Sequence, residues 1–311
     1  MATEKRLRLI YTKKTKVKIL MKIRLMIFAP LMLFSCISYG DETFDLDTPE
    51  GWAMAFMTSS AQNLGQMPPQ SVNISDISIS AELSSIPRLT QEQQKVGLGG
   101  SKDEDLNKSP AFGRLRASIG LPWDINAEIS WTPPFQINGS KPDDLWGAAL
   151  SKPLFNNEKI GIGLRLFLLR GGVTASVTCS EDVIKFEVYT DENYVGCVGL
   201  SEDRLQMNHE GVEVFLSFNN SSVILPWISL ASSNIDSSVE IDAPLFAGRE
   251  TSTIHSSGSI QTLSFGFNFD VGENRRLSVS SSYAPLEVQR PNDSSDNDNF
   301  WNLRAGLIIG F

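Results

Sequence analysis

An all-β fold is predicted by this 311-residue sequence: a transmembrane antiparallel up-and-down β-barrel of about ten strands, with twelve also compatible, and a short N-terminal helix. Three observations lead there. Stretches with two-residue apolar periodicity recur from residue 71 to the C-terminus. Short turns between them alternate with long polar links. No apolar run reaches the roughly eighteen residues of a membrane-crossing helix, so any crossing must be made by strands, whose alternation barely registers in mean hydropathy.

The N-terminal 40 residues read as a leader. They hold nine Lys/Arg and one acidic residue, which leaves 18 basic and 35 acidic residues in the remainder, a charge near −17. That balance argues against nucleic acid as a partner. Met21 is the expected true start. Lys22 and Arg24 form a basic n-region, Leu25 to Ile37 an apolar core, and Ser38-Tyr39-Gly40 a cleavage site before Asp41. The expected organisation is a signal peptide over 1–40, a helical periplasmic or lumenal segment over 41–70 and a barrel over 71–311. Cys36 falls in the leader, so Cys179 and Cys197 are the mature pair and are expected to be disulfide-bonded.

Each element has its own signal. Thr48-Pro49-Glu50 supplies a cap, a first-turn proline and a first-turn acid, and Trp52, Phe56 and Leu64 follow at helical spacing. This predicts a helix from about Pro49 to Gly65, with Trp52 and Phe56 as the anchors of a plug. The first span runs from Val72 to Leu83, with a phase slip near Asp76-Ile77 that suggests a bulge. Gly113–Ile119 and Ile125–Trp131 flank a turn at 121–124, and Leu145–Leu154 and Ile160–Leu168 flank one at 155–158. Val212–Phe218 and Val223–Ala231 flank 219–222, and Leu263–Phe269 and Leu277–Tyr283 flank 271–274. Trp301 to Phe311 closes the series. Long links join these hairpins, among them 170–209, where Val183–Tyr189 is strand-like, and 232–257.

The terminal strand, apolar at Trp301, Leu303, Ala305, Leu307, Ile309 and Phe311, resembles the insertion signal of Gram-negative outer-membrane β-barrel proteins. Together with a signal peptide, the resemblance extends over the whole mature chain, to the porin- and transporter-like class at large. It implies a place in the cell outer membrane, contact with outer-membrane lipids and lipopolysaccharide, and recognition of Phe311 by the barrel assembly machinery. With Phe311 periplasmic, every short turn falls on the periplasmic side and every long link outside, the asymmetry of such barrels.

Three functions are weighed. Strand parity turns Arg114, Arg116, Glu128, Arg165, Glu213 and Arg304 into the lumen. There they can line a narrow or plugged channel for a small solute, with an arginine ladder that favours anions, or simply fill the bore with ion pairs. The alternative is a lipid or lipopolysaccharide hydrolase. His255 and Ser257 have the His-x-Ser spacing of outer-membrane lipid hydrolases, although no third member is assignable. A structural or surface-binding barrel carried by long acidic loops, such as Glu181-Asp182 and 293–298, is the third. Two histidines, no Cys/His ligand spacing and no phosphate loop lead to the expectation of no metal and no cofactor.

Overall fold

A computed structural model describes residues 42–219, 223–291, 295–296 and 298–311. The expected leader, with Met21 and Cys36, lies outside the described residues, as does Asp41. Among the described residues, ten long strands follow one another round a closed ring: β1 Ile77–Ser85, β2 Ala111–Leu121, β3 Ile125–Trp131, β4 Lys141–Asn156, β5 Ile160–Ala175, β6 Asp203–Phe218, β7 Ile224–Leu245, β8 Gly248–Gly272, β9 Arg275–Ala284 and β10 Phe300–Gly310. Every neighbour pair is antiparallel, and β10 pairs with β1 from Arg304↔Ser84 to Gly310↔Ser78 to complete closure. The Phe311 amide adds a last bond to the Ile77 carbonyl at 2.8 Å. Closure removes sheet edges, so backbone polar groups within the apolar zone are paired.

Alternation decides which side chains meet lipid. Ile79, Leu83, Leu115, Ile129, Leu150, Leu166, Leu230, Phe265 and Leu303 are exposed outward. Ser80, Glu82, Arg114, Arg116, Arg165, Glu213, Ser264 and Arg304 are buried inward. Aromatic residues border the apolar belt. Trp131 faces Trp146 and Tyr283 faces Trp301 towards the long loops, and Trp123, Phe155, Phe218 and Phe311 stand near the short turns. No helix is long and apolar enough to cross a membrane among the described residues.

Three expectations about the strands change. The slip near Asp76 is a turn rather than a bulge: Ser75 has a φ of 70°, the Asp76 carboxylate accepts from the Asn73 amide, and β1 starts only at Ile77. Residues 232–257 are mostly strand, because β7 and β8 pair without a break from Ile224↔Phe269 to Leu245↔Gly248. Their Ser/Asn-rich outer halves lack lipid-facing apolar residues and so resemble a link. Val183–Tyr189 is no strand; Val183–Lys185 is a single 3₁₀ turn, and the count stays at ten.

The N-terminal segment runs inside the wall. Glu42–Phe44 adds a short parallel strand to the outer part of β8, at Ile254–Ser256. The helix α1, Pro49–Ser60, follows, capped by the Thr48 hydroxyl, which accepts from the Gly51 amide at 3.2 Å. It is buried on nearly all sides, as a helix enclosed by other elements is. Trp52 and Phe56 pack with Leu89, Val96, Ile235, Ile260, Leu286, Val288 and Phe300. The chain then descends to a turn against Gly120 and enters β1. The helix is five residues shorter than the periodicity predicts. Gly65 is not its cap; it lies where an added Cβ would sit 2.6 Å from the Phe215 ring.

Candidate functional site: the occupied lumen

The backbone carbonyls of residues 61–65 need partners once the helix has ended, because buried carbonyls are rarely left unpaired. The wall provides arginines. Arg114 donates to the carbonyls of Ala61 and Gln62, and Arg165 to that of Asn63. Arg116 donates to the Leu64 carbonyl at 3.0 Å, and Arg304 reaches the carbonyls of Leu64 and Gly65, each at 3.4 Å. The Gly65 amide donates to Glu213 at 2.9 Å, and Asn268 and Ser278 donate to the Gln66 carbonyl at 3.1 and 2.6 Å. An extended strip of plug backbone is thus held by side chains from around the ring.

Three of these guanidinium groups, those of Arg114, Arg116 and Arg165, also lie beside carboxylates. Arg116 lies 2.9 Å from Glu82 and 2.8 Å from Glu128, and Arg165 lies 2.8 Å from Glu128 and 3.8 Å from Glu213. Arg114 is 4.0 Å from Glu82. Asn63 sits at the centre. Its carbonyl oxygen accepts from Arg114, Arg116 and Ser130, and its amide donates to the carbonyls of Ala148 and Leu168. Four arginines and three glutamates therefore form one buried network with the plug. In low dielectric such a network is favourable only when its members are mutually satisfied.

Glu82 and Asn63 were not among the sequence candidates. Glu82 shares inward parity with Ser80 and Ser84, but the phase slip at Asp76 obscured the register. Asn63 lies in a segment with no repeating pattern, so nothing in the sequence marks it. Glycines give the plug room: a Cβ at Gly163 would lie 2.5 Å from the Pro69 ring, and one at Gly147 2.7 Å from Asn63.

Above this layer α1 is fastened to the outer loops. The Trp52 indole donates to the Asp298 carbonyl at 2.9 Å, Glu50 accepts from the Gly99 amide, and Gln289 donates from its amide to the Asp47 carbonyl at 2.7 Å. Below it, a polar recess of about 370 Å³ opens among Gln70, Ser71, Asn156, Asn219, Asn268 and Arg276.

The closed ring, apolar belt, aromatic borders and polar interior together place the chain in the outer membrane of a Gram-negative cell. No protein-family model matches the sequence, and no curated protein matches it. Solved structures with a similar fold include the outer-membrane protease OmpT of Escherichia coli, at 16% identity and TM-score 0.40, covering 81% of this chain and 100% of that one. Ail, the attachment invasion locus protein of Yersinia pestis, is similar at 13% identity and TM-score 0.32, over 76% and 97% of the two chains. The toluene transporter TodX of Pseudomonas putida is similar at 7% identity and TM-score 0.32, over 86% and 70%.

His255 and Ser257 lie on the outward face of β8, eight residues and six residues beyond Leu263. At about 3.4 Å per residue, that puts His255 some 27 Å along the strand from the apolar belt. The outward positions between, such as Ser259 and Gln261, are polar and exposed. His255 is flanked by Thr43 and Ser238, and Ser257 by Asp236. Among the described residues no hydrogen bond joins His255 to Ser257 or to a carboxylate. No cluster of three or more metal-ligating side chains occurs among the described residues.

Cys179 and Cys197 are joined by a disulfide, with Cα atoms 5.7 Å apart, in the outer link after β5. That link folds onto the tip of the β7–β8 hairpin through Val183, Ile184, Ala243 and Leu245.

Proposed function

We propose that this barrel is a plugged channel or transporter for a small solute, with residues 49–66 as the plug. The observation that carries the reading is the row of plug carbonyls, from Ala61 to Gly65, held by Arg114, Arg116, Arg165 and Arg304. A lumen filled only for stability could be packed with barrel side chains, since a bore this narrow nearly fills by itself. Here the filling is a separate stretch of chain, held by polar contacts at residues 61–66 and by an apolar seat around Trp52 and Phe56. The polar recess beneath it supplies a vestibule on the periplasmic side.

Single-channel recording tests this. The full protein is expected to conduct weakly, and removal of residues 41–66 to raise conductance in a barrel that still folds. Trp52→Ala with Phe56→Ala is expected to give a partial opening, because these rings anchor α1 in its apolar seat. The opened wall keeps four arginines against three glutamates, so reversal potentials in a salt gradient should show a slight anion preference. Unchanged conductance in a folded truncation would remove the plug reading, and cation preference would remove the arginine-ladder reading.

A further inference from the structure

The outer tip of the molecule carries an apolar patch that the lumen does not use. Residues 196–198 pair with 244–246: the Phe246 amide donates to the Gly196 carbonyl at 2.8 Å, and the Val198 amide to the Pro244 carbonyl at 3.0 Å. Side chains alternate across such a ladder. Cys197 is buried on the inner side, so Val198 and Phe246 face solvent, at 55% and 66% exposure. Tyr189 packs edge-on against Phe246 with ring centroids 5.9 Å apart, and Leu200, two residues beyond Val198, is also exposed. The patch is held rigid. The disulfide ties its base, and Asn193 accepts from the Cys197 amide while donating to the carbonyls of Phe186 and Cys197. A pre-ordered apolar patch facing water is the usual mark of an interaction site.

Its rim fixes the partner's charge. The link between β5 and β6, residues 176–202, holds six carboxylates and one lysine. Asp182 is paired with Lys185, and nearby Asp242 on β7 with Arg249. Glu187, Asp191, Glu192 and Glu202 are exposed, and none enters an ion pair among the described residues. Anionic lipid headgroups and nucleic acids are repelled by such a rim.

We propose that this acid-rimmed aromatic patch docks a basic polypeptide whose Lys or Arg side chains alternate with large apolar ones. Aromatic side chains would fill the space over Tyr189 and Phe246, and the cations would meet Glu187, Asp191, Glu192 and Glu202. The proposal is independent of the channel reading, since none of these residues touches the plug.

The test uses the full barrel in phosphatidylcholine nanodiscs, with empty nanodiscs as blank, and three labelled twelve-residue peptides followed by fluorescence anisotropy. The peptides alternate Lys with Trp, Lys with Ser, and Glu with Trp. The Lys/Trp peptide is expected to bind well above the blank, and less tightly as salt rises. Phe246→Ser with Tyr189→Ser should weaken it at least tenfold. Glu187→Gln with Asp191→Asn and Glu192→Gln should do likewise and flatten the salt dependence. Equal binding of the Lys/Ser peptide would overturn the role of the aromatic patch. Equal binding of the Glu/Trp peptide would overturn that of the rim. Affinity unchanged in both variants would place binding elsewhere and sink the proposal.

Discussion

Arg116 shows how much one side chain can hold. Its guanidinium meets Glu82, Glu128, the Asn63 side chain and the Leu64 carbonyl at once. Replacing it by methionine keeps the bulk but leaves Glu82 buried without its nearest cation. Loss of one partner from a buried pair costs about 3–5 kcal/mol. Arg116→Met should therefore lower the urea midpoint of vesicle-inserted protein, and adding Glu82→Gln should recover part of the loss. A midpoint unchanged by Arg116→Met would show that the network contributes no stability. Glu104, in the loop between β1 and β2, behaves differently. Burial pushes its carboxyl up to about 7, although the Lys102 ammonium stands 2.8 Å away and opposes the shift. Its second oxygen has no partner, while Lys102 also donates to the Thr178 carbonyl in the disulfide link. The unfolded carboxyl titrates near 4.5. Between these values the folded state binds more protons, so stability is fullest below about pH 4.5 and falls as pH rises through about 7. Glu104→Gln should remove that part of the pH dependence of the unfolding midpoint; an identical pH profile in the variant would refute it.

Among the elements, the plug and the disulfide link each depend on a fit that one substitution can spoil. Gly163 on β5 faces Pro69, and a Cβ there would stand 2.5 Å from a rigid ring. Gly163→Leu should push the chain just below the plug off the wall at Pro69. Conductance should rise while the barrel keeps its heat-modifiable mobility, and a variant that stays closed would mean that Pro69 can move aside at no cost. The Cys179–Cys197 bond closes a loop of 18 residues. In the chain-entropy model such a closure contributes roughly 3 kcal/mol. Cys179→Ser with Cys197→Ser should leave the barrel folded and make residues 180–196 sensitive to protease, because the bond lies in the loops rather than in the ring. Equal protease resistance would show that packing on the β7–β8 tip orders the link alone.

At the scale of the whole molecule, closure of the ring depends on its last strand. β10 pairs with both β9 and β1, and Phe311 ends it with an outward, exposed ring. Deleting Phe311 should lower the amount of inserted barrel while leaving export intact. Normal levels of heat-modifiable protein in the outer membrane would count against a role for the terminal ring in assembly. The plug adds a constraint of its own. Residues 42–44 lie against the outer part of β8 and residues 73–76 against the end of β2, so the segment traverses the lumen before the ring begins.

Within the apolar belt, most strand positions and the inward or outward side of their residues were legible in the sequence, because a two-residue period and a solvent that differs on the two faces determine them locally. The inward arginines at 114, 116, 165 and 304 followed from that parity alone. What they bind did not. That Asn63 joins three arginine and serine donors, that Glu82 completes the charge network, and that α1 stops at Ser60 depend on groups far apart in the chain. The outer halves of β7 and β8 were hidden for a related reason: beyond the lipid both faces are polar, and the alternation loses its contrast. The sequence by itself determined the closed ring of about ten strands and its place in a membrane, because these answer to a solvent that differs on the two faces. Only the tertiary structure decided how the lumen is filled, because that answers to hydrogen bonds between segments with no periodic relation to one another.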